Sequence, residues 1–249
     1  MDPQVIDVYR LESAPNVCNQ HLREAISLER FSLAHVTMLP SSSSLLHRHS
    51  RMQEVYVIVK GEGLLYCGDE VIAMGEGSYK VIPPNTPHKL HNAENVCLEH
   101  LVIAVPPFDP TDVELLADVE KKPSTSRFVF EDREPITARD GATIYELFRE
   151  EEKAVLGLSL ALGRLGGKKK ALTHHHNVSE EIYYVTARRG KVRVGALESD
   201  IRPGSLVYIP KGVVHSLENT VFHDHHGLDL EVLCIACPPY ANDDFIIEE

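Results

Sequence analysis

The chain repeats itself once, and this internal repeat constrains its fold more than any other feature of the sequence. The segment Ser32-Leu33-Ala34 recurs as Ser159-Leu160-Ala161, at an offset of 127 residues. The same offset relates His47 to His174, His49 to His176, Glu54 to Glu181, Gly63 to Gly190, Gly77 to Gly204, Pro83 to Pro210, His88 to His215 and Asn92 to Asn219. One offset shared by so many distinctive residues indicates two copies of one structural unit.

Near the end of each copy the offset rises to 132, because Pro106-Pro107-Phe108 matches Pro238-Pro239-Tyr240. Five extra residues therefore lie in the second copy, in a loop around 222–226, and loops tolerate insertions. We predict two domains, residues 1–124 and 125–249. The apolar spacing within 111–121 predicts a short helix in the charged segment that joins them.

Each copy consists of short apolar stretches that are separated by turn residues. In the first copy Val55–Val59 is followed by Gly61-Glu62-Gly63 and then by Leu64–Cys67. Strands of this length at close spacing are typical of an antiparallel sandwich or barrel. The sequence therefore predicts an all-β fold.

Histidine and glutamate recur at a spacing that favours metal binding. His47 and His49 lie two residues apart, so on a strand both point to the same side. Glu54 begins the next apolar stretch, and His88 can join from another strand. The second copy repeats the set as His174, His176, Glu181 and His215. Three imidazoles and one carboxylate suit a first-row divalent metal and leave coordination positions open, as in catalytic sites.

These residues resemble the two cupin motifs. The first motif is H-x-H, then three or four residues, then E and a glycine; the second is G-x5-P-x-G-x2-H-x3-N. The resemblance covers nearly the whole chain in two copies and implies a bicupin. It implies two tandem jelly-roll barrels, also called double-stranded β-helices, each holding a divalent metal ion such as iron, manganese, nickel or zinc. Asn85 replaces the glycine of the second motif in the first copy, and we expect the turn to survive because Asn tolerates positive φ.

Several other side chains are candidates for the two interiors. Tyr56 and Tyr183 follow the glutamates by two residues, so they share the inward side; each is either a catalytic phenol or an aromatic core residue. His35, His91 and His100 have no histidine counterparts in the second copy. They either give the two sites different roles or are ordinary surface and core histidines.

The bulk composition excludes some classes of function. The formal net charge is −12, which argues against a nucleic-acid partner. The sequence contains neither an apolar run of 18 residues nor a signal peptide at its start, so we expect no membrane association. Five cysteines, an odd number, indicate free thiols in a reducing cytoplasm. Cys234 and Cys237 lie in an apolar run, which favours buried, inert thiols over a metal or redox pair.

The resemblance favours a metal-dependent enzyme that acts on a small organic substrate, with a dioxygenase-like oxidoreductase ahead of the alternatives. An isomerase, lyase or decarboxylase is the second hypothesis. A small-molecule sensor or carrier without turnover is the third. Because barrel edges in cupins pair across dimers, a homodimer is also expected.

Overall fold

The computed structural model describes residues 1–117, 133–221 and 229–248, and the chain divides into two compact units. Arg10–Asp132 form one unit, here named the N-terminal barrel; Met1–Tyr9 and Arg133–Glu249 form the other, the C-terminal barrel. Each unit contains two antiparallel sheets, which confirms the all-β, two-barrel fold. The predicted boundary near residue 125 and the insertion at 222–226 lie outside the described residues. Among the described residues, no helix is long and apolar enough to span a membrane.

The first strand of the chain, β1 (Gln4–Asp7), belongs to the C-terminal barrel. The strands of the N-terminal barrel are β2 (Ala14–Pro15), β3 (His21–Ser27), β4 (Ser32–Met38), β5 (His47–His49), β6 (Gln53–Lys60), β7 (Glu62–Cys67), β8 (Glu70–Gly75), β9 (Tyr79–Ile82), β10 (His88–His91), β11 (Leu98–Val105) and β12 (Val113–Leu115). They form a six-stranded sheet of order β2-β3-β4-β11-β6-β9 and a five-stranded sheet of order β12-β5-β10-β7-β8.

The C-terminal barrel repeats this plan. Its elements are β13 (Ile136–Thr137), β14 (Thr143–Glu146), α1 (Glu150–Leu156), β15 (Ser159–Leu165), β16 (His174–His176), β17 (Glu180–Ala187), β18 (Gly190–Val194), β19 (Leu197–Ile201), β20 (Ser205–Ile209), β21 (His215–Asn219), β22 (Leu230–Cys237) and β23 (Phe245–Ile247). The sheet orders are β1-β20-β17-β22-β15-β14-β13 and β19-β18-β21-β16-β23. Short 3-10 helices cover Val8–Arg10, Pro110–Asp112 and Asn242–Asp244.

Alternation of side chains along the strands builds a separate core in each barrel. In β7 and β18 every second residue is buried, as a sheet with one face inward requires. The N-terminal core includes Val36, Met38, Tyr56, Ile58, Leu65, Leu90 and Leu98. The C-terminal core includes Leu165, Tyr183, Val185, Val192, Val207, Leu217 and Leu230. Burial of these apolar side chains is the main favourable term in folding each unit.

The repeated glycines are explained by close packing as well as by turns. A Cβ atom on Gly63 would lie 2.7 Å from the His91 carbonyl oxygen, and one on Gly190 would clash with that of Glu218. Neither strand could approach so closely with a larger residue. Asn85 adopts φ 61°, so the predicted turn survives, and Arg188 adopts φ 68° where the first copy has Gly61.

The N-terminal strand differs from the predicted domain plan. The sequence placed residues 1–9 with the N-terminal barrel, whereas β1 pairs with β20 from Gln4 opposite Tyr208 to Asp7 opposite Ser205. Asp7 also forms a 2.7 Å ion pair with Arg202. In the N-terminal barrel the matching strand β9 is the last strand of its sheet. β1 thus covers an edge that would otherwise present unpaired backbone groups.

The predicted helix within 111–121 is wrong over its described part. A 3-10 turn at Pro110–Asp112 leads into strand β12, and residues beyond 117 lie outside the described residues. β12 pairs with β5, placing Val113 opposite His49 and Leu115 opposite His47. The helical spacing of apolar residues was overridden by this tertiary pairing, which supports the strand that carries two of the candidate ligands.

Candidate metal centres

The N-terminal barrel brings together the four residues that the sequence grouped. His47 and His49 lie on β5, Glu54 on β6 and His88 on β10, and His88 pairs directly with His47. Glu54 Oε2 is 2.9 Å from His88 Nε2 and 3.3 Å from His49 Nε2. All four side chains are buried, and one ligand atom from each lies within 4.8 Å of the others.

The C-terminal barrel holds an equivalent group with nearly the same geometry. His174 and His176 lie on β16, Glu181 on β17 and His215 on β21. Glu181 Oε2 is 3.2 Å from His215 Nε2 and 3.4 Å from His176 Nε2. The four ligand atoms again lie within 4.8 Å of one another, and all four side chains are buried.

Backbone carbonyls orient two histidines of each group. Nδ1 of His47 lies 2.8 Å from Leu45 O, and Nδ1 of His88 lies 2.9 Å from Thr86 O. Nδ1 of His174 lies 2.9 Å from Leu172 O, and that of His215 lies 3.0 Å from Val213 O. Since a carbonyl only accepts, Nδ1 carries the proton, and the Nε2 lone pair is left to face the centre of the group.

The second motif is tied to the first by one backbone hydrogen bond in each barrel. The Asn85 N–H donates to His49 O at 2.6 Å, and the Gly212 N–H donates to His176 O at 2.5 Å. This bond holds the turn that precedes β10 or β21 against the ligand strand. The third histidine is thereby brought to the first two.

The charge state of both groups suits a divalent cation. Burial lowers the pKa of His47 and of His174 to about 4, so both imidazoles are neutral near pH 7. Burial alone would raise the pKa of Glu181, but the three imidazoles beside it lower it to about 2. The pKa of Glu54 is likewise held far below its ordinary value by His49 and His88. Each group therefore combines a carboxylate anion with a neutral imidazole, two kinds of ligand that a first-row divalent metal accepts.

Buried ring nitrogens without hydrogen bonds are a further observation that fits a metal. Among the described residues, Nε2 of His49 is buried and makes no hydrogen bond, although it faces Glu54. A polar atom left unsatisfied in a protein interior is costly. A cation between the imidazoles and the carboxylate would satisfy it.

The comparisons with known proteins agree with this geometry. The Cupin domain family model matches residues 34–104 and 164–227, together more than half of the chain. The chain belongs to the cupin family. Because the model matches once in each barrel, the protein is a bicupin. Over 85 residues, 34% of this chain and 68% of the relative, it is 39% identical to the uncharacterised protein MJ1618 of Methanocaldococcus jannaschii.

Two solved structures share the fold of this bicupin over almost its whole length. Oxalate decarboxylase from Bacillus subtilis superposes with a TM-score of 0.71 at 16% identity, over 95% of this chain and 77% of that one. Vicilin from tomato, Solanum lycopersicum, superposes with a TM-score of 0.74 at 14% identity, over 94% of this chain and 85% of that one. At these identities the likeness shows the fold alone.

The two barrels of the bicupin differ sharply in the space beside the candidate ligands. A cavity of about 550 Å³ opens onto His174, His176 and Glu181 in the C-terminal barrel. The corresponding cavity beside His47, His49 and Glu54 measures about 30 Å³. The first volume accommodates a small organic molecule, and the second is no larger than the space of a water molecule.

The two candidate tyrosines both lie inside the barrels. The Tyr183 hydroxyl donates to Glu181 Oε2 at 3.2 Å, lies 3.3 Å from His215 Nε2, and lines the large cavity. Tyr56 is buried with its ring centroid 5.7 Å from that of His88. Burial and the neighbouring glutamate raise the pKa of each phenol well above 10, so both stay protonated. Of these two tyrosines, Tyr183 is therefore the one that combines a proton with access to the large cavity.

The histidines that are unique to the first copy lie at three different places. His100 is fully buried with its ring centroid 5.0 Å from that of Tyr56, and burial lowers its pKa to about 3. His35 is also fully buried, and its Nε2 lies 3.0 Å from Glu99 Oε2. His91 is half-buried, with Nδ1 2.7 Å from Ser43 Oγ. His35 and His91 thus have polar partners, and none of the three lines the small N-terminal cavity.

The five cysteines are free. Cys237 is buried, and its thiol donates to Gly157 O. Cys234 is half-buried and lines the large cavity, where burial raises the pKa of its thiol well above 9. The Cys234 thiol is therefore protonated near pH 7. Of the two cysteines that were expected to be buried, Cys237 is buried and Cys234 is partly exposed.

Sequence reasoning missed two aspartates that hold the ligand loops. Asp112 accepts the backbone N–H groups of Arg51 and Met52 at 3.0 and 2.9 Å. Asp244 accepts those of Val178 and Ser179, both at 2.9 Å. Each carboxylate thereby fixes the loop between the H-x-H strand and the glutamate. The offset of 132 that relates the two aspartates, the same as for the late part of the repeat, could have revealed them.

Proposed function

We propose that this bicupin is a metal-dependent enzyme that acts on a small organic molecule in its C-terminal barrel. The observation that carries the proposal is the cavity of about 550 Å³, which opens onto His174, His176, Glu181 and Tyr183. Open coordination positions beside a substrate-sized space are typical of catalytic metal sites.

In this proposal His174, His176, Glu181 and His215 hold a divalent ion of iron, manganese, nickel or zinc. When bound, the ion binds substrate oxygen atoms and either activates dioxygen or polarises a carbonyl as a Lewis acid. We favour the first chemistry, a dioxygenase-like oxidation. In the N-terminal barrel we propose that His47, His49, Glu54 and His88 hold a structural ion, because the adjacent cavity of about 30 Å³ admits no substrate.

The remaining residues of the C-terminal cavity have separate tasks in the proposed reaction. Tyr183 keeps its proton, which the hydroxyl donates to Glu181 here; in the proposed reaction, with Glu181 holding the ion, the hydroxyl donates it to a substrate oxygen instead. Leu160, Ile144 and Phe245 form an apolar wall. Such a wall lowers the local dielectric and strengthens polar contacts with the substrate.

A decarboxylase or other lyase is the second candidate. Its support is the likeness in fold to oxalate decarboxylase over 95% of this chain. The third candidate, a sensor or carrier without turnover, would use the same cavity without chemistry. For all three candidates we propose a small-molecule partner and a homodimer. The net charge of −12 argues against a nucleic-acid partner. The free cysteines favour a cytoplasmic location.

Metal analysis followed by gas measurements separates these candidates. The untagged protein is purified without added metal, and its metals are measured per chain by mass spectrometry. Substrate-dependent oxygen uptake with iron bound supports the dioxygenase. Carbon dioxide release without oxygen uptake supports the decarboxylase. Failure to bind any metal after reconstitution contradicts the enzyme proposal in both forms.

A further inference from the structure

Equivalent turns connect β2 to β3 and β13 to β14, and the central residue of each turn lines the cavity beside a candidate metal centre. In the C-terminal barrel the Ala138 N–H donates to Ala142 O at 2.8 Å; in the N-terminal barrel the Asn16 N–H donates to Gln20 O at 3.0 Å. These turns are related by an offset of 122 residues. The central residue is Asp140 in the first turn and Cys18 in the second.

A second backbone bond confirms that Asp140 and Cys18 are counterparts. The Leu172 N–H donates to Asp140 O at 3.1 Å, and the Leu45 N–H donates to Cys18 O at 2.9 Å. Leu172 and Leu45 each precede the first histidine of their own ligand strand by two residues. The turn residue is therefore fixed to the ligand strand in both barrels.

The side chain of Asp140 lies at the cavity of the C-terminal barrel. Asp140 lines the cavity of about 550 Å³ and a smaller one of about 50 Å³, and His174 and Tyr183 line both with it. Burial, and the charge of the nearby Glu181, raise the pKa of Asp140. Asp140 and Glu181 are thus close enough to interact electrostatically.

No cation neutralises Asp140 in the part of the chain that the structure describes. Its Oδ1 accepts the Ala142 N–H at 3.1 Å, and no ion pair involves it. The two basic side chains that line the cavity have other partners. Lys153 pairs with Glu150 at 2.8 Å, and Arg139 donates to Phe245 O at 2.9 Å. A carboxylate oxygen is therefore left to accept a hydrogen bond from a ligand.

We propose that Asp140 determines substrate specificity, selecting small neutral molecules that carry a hydroxyl group next to a metal-binding oxygen, such as vicinal diols. This inference rests on the proposed function of the C-terminal barrel. A hydroxyl donates to the carboxylate, whereas a dicarboxylate dianion has no proton to donate and is repelled by it. Cys18 offers only a weakly polar thiol at the same position of the closed barrel.

Calorimetric titration of the full-length, zinc-loaded chain tests the inference with two probes. Catechol represents a neutral vicinal diol, and oxalate represents a dicarboxylate. We expect catechol to bind at one site per chain, about tenfold or more tighter than oxalate, as a charged hydrogen bond warrants. Asp140→Asn and Asp140→Ala should each reduce this ratio by about tenfold. Cys18→Ser, the matched change in the other barrel, should leave it unchanged.

The possible failures are distinguishable. A wild-type chain that retains zinc but binds oxalate more tightly than catechol contradicts the specificity inference alone. An unchanged ratio in both Asp140 variants, with thermal unfolding as in the wild type, also overturns it. A chain that retains no zinc contradicts the proposed function itself. Zinc content after each titration is the control for removal of the metal by catechol.

Discussion

The two barrels carry the same candidate metal ligands but differ in the turn that lines the cavity beside these ligands. In the N-terminal barrel the turn carries Asn16 and Gln20, and the Asn16 amide donates to Gln20 Oε1 at 3.2 Å. In the C-terminal barrel the corresponding positions are Ala138 and Ala142. The first pair lines a cavity of about 30 Å³, whereas alanines line the large open one and its small neighbour. The residues that determine the size of each cavity are thus different from the candidate metal ligands.

Among variants that compare the two barrels, we expect the largest difference in turnover between the two tyrosine variants. Tyr183→Phe removes the hydroxyl that would donate to the substrate in the large cavity, so turnover should fall by about 10²-fold while metal content stays constant. Tyr56→Phe makes the same change in the closed barrel and should leave turnover unchanged. Steady-state kinetics with the substrate found by the gas measurements provides the test. Equal losses in both variants would mean that the barrels are not divided as proposed.

The two loop-holding aspartates should act each on its own barrel. Asp244→Ala leaves the N–H groups of Val178 and Ser179 without their acceptor, so zinc affinity of the C-terminal centre should fall by about 10- to 100-fold. Asp112→Ala should do the same in the N-terminal barrel. Competition with a chromogenic chelator measures both affinities. The exposed neighbour Asp243→Ala is the control, and an equal loss there would refute the positioning role.

Exchanging the first and last residues of the two turns should change how easily a ligand reaches each candidate metal centre. Ala138→Asn with Ala142→Gln adds bulk at the C-terminal cavity, and we expect the catechol affinity to fall by roughly tenfold. Asn16→Ala with Gln20→Ala should open the N-terminal site and create a second, weaker one. Calorimetric stoichiometry reports both changes. If neither double variant alters binding, the turn does not control access.

His47 and His174 should contribute equally to the pH dependence of stability. Folded His47 and His174 have a pKa of about 4, below the ordinary value of about 6.5. Between these values the unfolded chain binds protons that the folded chain does not. The unfolding free energy of the metal-free protein should therefore be highest above pH 6.5 and decrease toward pH 4, by up to about 1.4 kcal/mol per pH unit for each histidine.

Urea unfolding at a series of pH values measures this slope. His47→Gln and His174→Gln should each reduce it by a similar amount, because each replaces a titrating ring with a neutral amide. A reduction in only one variant would show that the two centres are electrostatically different.

The sequence predicted the barrels and the grouping of the candidate ligands because both depend on local patterns. The H-x-H spacing of His47 and His49 places two rings on one side of a strand, and the 127-residue offset repeats the pattern. The difference in access was not predicted. The turns that contain Cys18 and Asp140 are related by an offset of 122 rather than 127, so the repeat of the candidate ligands does not relate them.

Long-range strand pairing was also beyond sequence reasoning. The apolar spacing near Val113 resembles that of a helix, but the segment pairs with β5 instead. Nothing in the sequence of Gln4–Asp7 indicates that this strand joins the C-terminal barrel. Its partner β20 begins only at Ser205, far away along the chain. Such pairings depend on which sheet edge is available, and local residue preferences do not determine that.

The most direct test of the account removes the two centres one at a time. His174→Ala with His176→Ala and His47→Ala with His49→Ala are compared for metal content and turnover. The account predicts that each double variant retains one of the two metal ions per chain. Only the C-terminal variant should lose turnover, while the N-terminal variant remains active with lower thermal stability. Turnover that survives loss of the C-terminal centre, or that is abolished only by loss of the N-terminal one, would contradict it.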